Sequence, residues 1–559
     1  LRFLPPAAFV GTVAMVGSGL VMVRSLQFEQ IAVLAWLPWA LVAIEWCLRA
    51  GARRAPAIGA LGVVIGVMVL AGHPQQSYLS LAFVAIWTIG RVVDTGPTAR
   101  DRLGALARVG AGGMLGVVLA APQLLPTLAQ LSASANTGGR TLAAPSNPEF
   151  TINAARLPVT LLGNAWNETP LASLGPIETG AFVGVTVLLL AAIGAAVAWG
   201  APGWRGTGVA LGLAVIVGLL LATGSQCDYT DPNAVGCARP GFPYRTLFRG
   251  LPGFDQARVP ARWACVAVIA LALLAGIGVD ALARRRVTVR QVAAGVGGVG
   301  ALFAVGTLLG ATWDPSVGVT TAGTVTWIVV AVLVTGAALV TAIDANRGLP
   351  ARWSQLARFA LVVPLLGLAV ELGVPALHSE SRTSMAATPF NGSPTPIADH
   401  VRANPGRILS IAGEALDDPD RLWRALTPNT NTAQGVRSLD GYDGGVWVRT
   451  DWVRAMTGFT HDDFNPDLPI HMQGAWPPNL TLATRFGVRY IVIDVERTAL
   501  AHNLGDPTSP EVRDAARRIA ADGWTGPVAS DGPIELFENP DLRAEGRVVF
   551  ATREVAPDF

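Results

Sequence analysis

The sequence contains no lysine: its 41 basic residues are all arginine, set against 39 acidic ones, for a formal charge of +2 over 559 residues. Charge of any kind is scarce at 14% of residues, while 51% are hydrophobic and mean hydropathy is +0.44. A water-soluble core as the main architecture is excluded by that balance. Nucleic acid is not an expected partner, because the arginines form short clusters and no basic stripe. The six histidines and four cysteines show no metal-ligand spacing, and the chain has neither a glycine-rich phosphate cradle nor a nucleophile elbow. No internal repeat is visible. Arginine without lysine, beside abundant Ala, Gly and Val, looks like the codon bias of a high-GC bacterium, where the sequons at Asn167, Asn391 and Asn479 carry no meaning.

What the chain does have is a series of apolar runs of about twenty residues, the length that crosses a bilayer. Eleven spans are expected, at 4–23, 27–48, 56–72, 76–93, 105–126, 178–199, 206–223, 262–282, 290–312, 323–343 and 356–376. Arginines follow every second span, as in Arg53 and Arg54, Arg100 and Arg102, Arg205, Arg284 to Arg286, and Arg347. By the positive-inside rule those loops are cytoplasmic. The others, 24–27, 72–76, 127–177, 224–261 and 313–322, are exoplasmic, with everything after 376.

The expected architecture is therefore an α-helical polytopic membrane domain over 1–376, followed by a small exoplasmic α/β domain over 377–559. Within the latter, 379–396 reads as a linker, Val488 to Asp494 and Ile534 to Phe537 as strands, and Pro510 to Asp522 as an amphipathic helix. The chain opens with Leu1 directly into an apolar run, which reads as a fragment without its true N-terminus.

Candidate site residues cluster at the exoplasmic boundaries. Gly72-His73-Pro74-Gln75-Gln76 joins two spans there; His73 and Gln75 suit a phosphate or a sugar hydroxyl, with a plain interfacial turn as the alternative. Arg258 and Arg262 lie four apart before an outer helix start, where orientation signals do not explain them. Bidentate binding of a lipid phosphate does, as does snorkelling to headgroups. Glu178 is expected at a helix start, favoured by the macrodipole, and Glu29 is expected to pair with Arg24. Cys47 and Cys265 lie within spans as small buried hydrophobes. Cys227 and Cys237 share one outer loop, and form a disulfide there or remain two unrelated thiols.

Four stretches resemble the YfhO family of bacterial membrane proteins, placed in the GT-C class of lipid-dependent glycosyltransferases. They are Ala71 to Tyr78, Ile177 to Gly184, Leu251 to Gly278 and Leu426 to Tyr442, extended by Phe486 to Ile493 and Phe537 to Pro540. The resemblance implies a GT-C-like bundle, a polyprenyl-phosphate sugar donor and a cell-envelope acceptor. It also implies an acidic residue in the first exoplasmic loop, acting as base or as ligand of a divalent metal. That loop would precede Leu1, so the catalytic acid is expected to be missing and the chain inactive as given. The departure at Asp541-Leu542-Arg543, and the lack of a span after the soluble domain, extend the expected truncation to both ends. His73, Gln75, Glu178, Arg258 and Arg262 are the expected substrate-binding residues. A lipid or saccharide transporter or flippase, and a non-catalytic envelope scaffold, are the rival functions.

Overall fold

The computed structural model describes residues 3–24, 27–49, 54–134, 150–152, 157–162, 178–224, 244–251, 253–308, 321–350, 354–355, 359–360, 362–378, 394–411, 419–427, 430–439, 449–450 and 478–541. The chain forms two compact units, 1–129 with 139–382, and 130–138 with 383–559.

The first unit is a helical membrane bundle. Its helices are α1 (Pro5–Val16), α2 (Gly19–Val23), α3 (Phe28–Arg49), α4 (Arg54–Leu70), α5 (Pro74–Thr95), α6 (Ala99–Ser132), α7 (Leu157–Leu162), α8 (Gly184–Gly200), α9 (Arg205–Ala222), α10 (Tyr244–Gly250), α11 (Ala264–Ala283), α12 (Val289–Leu308), α13 (Thr321–Arg347) and α14 (Val362–His378). Among the described residues six helical stretches are long and apolar enough to cross a membrane, and five shorter apolar helices, α1, α4, α8, α12 and α14, fall on the remaining expected spans.

The structure corrects three boundaries. The span expected at 4–23 is broken at Gly17 and Ser18, which end α1 and cap α2. The run expected at 105–126 belongs to a 34-residue helix, α6, that takes in the first residues of the expected 127–177 loop. The span expected from Glu178 begins only at Gly184: Glu178 and Thr179 are helical, but the irregular residues 180–183 separate them from α8, so the dipole of α8 does not account for that glutamate. The dipole is met by Glu371 of α14, whose Oε1 and Oε2 accept from the backbone N–H of Val185 and Thr186, both at 2.9 Å. Gly184 turns with φ +82, and a Cβ there would lie 3.0 Å from Glu371 Oε2.

Helix α11 is the axis of the bundle. Seventeen of its twenty residues are buried, which explains a sequence apolar on every side. It meets α8 closely because both helices carry glycine at the crossing: a Cβ on Gly194 would overlap the Leu274 carbonyl oxygen, and one on Gly278 that of Leu190. Cys227 and Cys237 lie outside the described residues.

The second unit is built on a four-stranded mixed sheet, β1 (Arg407–Ile411), β2 (Val488–Asp494), β3 (Thr525–Asp531) and β4 (Ile534–Glu538), in the order β1-β2-β4-β3. Strand β2 runs parallel to β1 and antiparallel to β4. Both faces of β2 are covered. Ile491 and Ile493 pack with Ala516 and Ala520 of the helix Pro510–Ala521, while Tyr490 and Val492 pack with Ile397 and Val401 of the helix Pro396–Ala403. A strand buried on both sides is apolar without alternation, as 488–494 is.

Candidate functional site

The site is assembled at the helix ends remote from the arginine-rich loops. Its first part is the turn into α5. Gly72 adopts φ +95, which glycine takes without strain. His73 then caps the helix: its Nδ1 accepts from the Gln76 N–H at 2.9 Å, and Pro74 occupies the first helical position, where a missing N–H costs nothing. Gln75 Nε2 donates to the Val259 carbonyl at 2.9 Å and ties this turn to the segment before α11. There Pro260 begins a 3-10 turn, Pro260–Trp263, which buries Pro260 and Trp263 and leaves Arg262 reaching toward the His73 turn.

Arg262 is the hub. Its Nε and Nη2 donate to Glu178 Oε2 and Oε1 at 2.8 and 2.5 Å, a bidentate pair. Its Nη1 donates to Gln75 Oε1 at 2.9 Å and stands 3.3 Å from His73 Nε2. Because His73 Nδ1 is an acceptor, the proton of the neutral ring sits on Nε2. Two donors then face one another across 3.3 Å, an opposition that an acceptor oxygen reached by both would relieve.

Arg24 completes the charge constellation. Its side chain is 1% exposed and lies 3.9 Å from Glu178 Oε2, while its Nη2 donates to the Glu178 carbonyl at 2.8 Å. The pairing expected with Glu29 is thus corrected: Glu29 is exposed on α3, and Arg24 reaches a carboxylate 154 residues away. Gln27 Nε2 also approaches Glu178 Oε1, at 3.4 Å, and Gln30 Nε2 donates to Gln27 Oε1 at 2.5 Å.

Burial shapes the protonation of this group. Desolvation alone would raise the Glu178 carboxyl, but Arg262 and then Arg24 outweigh it and hold the pKa down at about 2. For His73, desolvation and the Arg262 charge act together and lower the pKa to about 3, so the ring is neutral at physiological pH. Two arginines against one carboxylate leave the cluster with a net positive charge.

Arg258 does not join that cluster. Its guanidinium lies over the Phe150 ring, 4.8 Å from the centroid, beside an aromatic series in which Tyr244, Phe254 and Trp263 pack in sequence at 5.0 and 5.5 Å. Tyr78 meets the edge of Trp263 at 6.1 Å. Burial pushes the Tyr244 phenol well up from its ordinary value.

The structure thus brings His73, Gln75, Glu178 and Arg262 into one hydrogen-bonded network and sets Arg258 beside the aromatic series. Sequence reasoning missed Arg24, Gln27 and Gln30 as members. Their spacing of three along the entry to α3 was the available signal. Among the described residues no group of three or more His, Cys, Asp or Glu has the arrangement to hold a metal ion. Both oxygens of Glu178 already accept from guanidinium, so the site does not fit a divalent metal.

No protein-family model matches the chain, and no curated protein matches it. Among solved structures it is similar to the crystal structure of ArnT from Cupriavidus metallidurans bound to undecaprenyl phosphate. The match has 13% sequence identity and a TM-score of 0.34, and covers 97% of this chain and 84% of that one.

Proposed function

We propose that the protein is a membrane glycosyltransferase that moves a sugar from a polyprenyl-phosphate carrier to a cell-envelope acceptor at the outer face. One observation carries the reading: two part-buried donors, His73 Nε2–H and Arg262 Nη1, stand 3.3 Å apart inside a cluster of net positive charge. A phosphate oxygen accepting from both would relieve that opposition and answer the charge. The resemblance to the YfhO family points to the same chemistry.

In the transfer step the bond between the sugar's anomeric carbon and the carrier phosphate oxygen breaks, and an acceptor hydroxyl forms the new glycosidic bond. Negative charge gathers on the departing phosphate. Arg262 and the His73 N–H would stabilise it from fixed positions, which matters most where water is excluded. Glu178 acts as a positioning residue. Held at about 2 and saturated by Arg262, it is a poor proton acceptor, and its work is to orient the guanidinium. The acceptor's proton passes to a base outside this network. Arg258 and the aromatic series flank the route by which an apolar carrier chain would approach.

The test is transfer of labelled sugar from a polyprenyl-phosphate donor by full-length protein in liposomes. His73→Ala and Arg262→Lys should lower the rate by on the order of a hundredfold, the scale for losing one preorganised donor. Wild-type transfer in both variants would overturn the phosphate role. Accumulation of intact donor inside the vesicles, without transfer, would replace the enzyme with the transporter.

A further inference from the structure

At the opposite end of the bundle lies a cavity of about 360 Å³, independent of the site above, which we propose binds the phosphate-bearing headgroup of an anionic membrane lipid. Four guanidiniums, those of Arg49, Arg91, Arg284 and Arg286, line it against the single carboxylate of Asp280, with Trp204 forming one wall. The cavity is built on three elements that also reach the other end of the bundle, α3, α5 and α11.

Part of this charge is internally balanced. Arg91 is 5% exposed and donates through Nε and Nη2 to Glu45 at 2.5 and 3.1 Å, with its guanidinium 5.5 Å from the Trp204 ring centroid. Arg49 also reaches Glu45, at 3.2 Å, and Arg284 donates to Asp280 at 2.7 Å. Asp94 stands 3.8 Å from Arg91, but its oxygens accept from the backbone N–H of Gly206 and Thr207 and cap α9. Arg286 is exposed and has no acidic partner among the described residues. The cavity therefore presents one fixed, buried guanidinium and an outer pair, Arg49 and Arg286, with positive charge in excess.

A lipid is favoured over a free anion by what adjoins Arg49. On α3 the residues Trp39, Val42 and Trp46, exposed at 61, 62 and 42%, recur at intervals of three and four and share one face with Arg49. In a membrane helix that apolar face meets acyl chains, and Arg49 marks its polar end. A headgroup would sit in the cavity while its tails lie along this stripe. Basic pockets between membrane helices on the arginine-rich side take lipid phosphates in this way.

The experiment counts lipids retained by the purified full chain, using native mass spectrometry after equilibration with equal amounts of phosphatidylglycerol and phosphatidylcholine. Wild type should keep phosphatidylglycerol preferentially. Arg49→Gln with Arg286→Gln should lower that preference about fivefold for each charge removed, while Arg286→Lys keeps most of it. Arg258→Ala, at the other end, should leave it intact. An unaltered melting profile shows that the double variant is folded. Equal retention of the two lipids by wild type, or full preference in the folded double variant, overturns the proposal. Inorganic phosphate binding to delipidated protein that is lost in the double variant, with no lipid preference in wild type, would assign the cavity to a free anion instead.

Discussion

The two ends of the helical bundle carry the same chemistry, an arginine buried against a glutamate, and use it differently. At the His73 end, Arg262 and Arg24 converge on Glu178, and all three side chains are at most 11% exposed. At the arginine-rich end, Arg91 is buried against Glu45, but Arg49 on the same glutamate is 57% exposed. The contrast lies in what remains unsatisfied. Around Arg91 the guanidinium is held by Glu45, the neighbouring acid Asp94 finishes a helix cap, and the charge left over belongs to the outer arginines at the cavity mouth. Around Arg262 two donors meet head to head. A buried ion pair by itself is poor evidence of function; converging donors beside it are better evidence.

The comparison breaks most sharply at Glu178. Glu178→Ala leaves Arg262 and Arg24 buried without a counter-charge, and should cost about 3–5 kcal/mol of stability as well as abolishing transfer. Thermal unfolding in detergent, beside the transfer assay, measures both. Arg91→Gln is the matching change at the other end. It should cost about 1–3 kcal/mol by leaving Glu45 short of a donor, yet folded protein should transfer sugar at the wild-type rate. Loss of transfer in folded Arg91→Gln would erase the distinction between the two ends.

Acid sharpens it further. His73 has its folded pKa lowered from 6.5 to about 3, so the unfolded chain binds more protons throughout that window. Stability contributed at this end is fully present above pH 6.5 and falls as the pH drops toward 3, with a slope of up to about 1.4 kcal/mol per pH unit. Glu178, lowered from 4.5 to about 2, adds a loss of the same sign between those two values. His73→Gln should flatten the upper part of the curve and leave the lower part. An unchanged curve would place His73 in water rather than in the cluster. The smallest effect belongs to Arg286→Gln, expected to shift stability by no more than about 0.5 kcal/mol, because the side chain is exposed.

The helices were legible because a bilayer demands about twenty apolar residues, and few other structures use such runs. The Gly72 to Gln76 turn was legible as a polar junction, since glycine, a capping side chain and proline in that order start a helix. What stayed hidden was partnership across distance. Arg24 looked paired with Glu29, five residues away, because nothing in the sequence places Glu178 beside it. Glu178 looked like the start of α8 because the apolar run obscures the irregular break at 180–183. The break at Gly17 and Ser18 did leave a signal, Gly17-Ser18-Gly19, but the apolar residues on both sides carried the run across it. On β2 the buried run 488–494 announced a strand, whereas β3, with three of its first residues exposed, has no such pattern.

The carboxylate of Glu371 bears on how the protein is made. It completes the first turn of α8, yet it follows Val185 by 186 residues in the chain. At roughly 5–20 residues per second of synthesis, α8 enters the membrane about ten to forty seconds before the residue that satisfies its leading amides has been translated. During that interval those N–H groups depend on water or on temporary neighbours in the insertion machinery. Helix α14 is in this sense a keystone for an earlier one, and a nascent chain released before α14 emerges would be left with an open seam at the heart of the bundle.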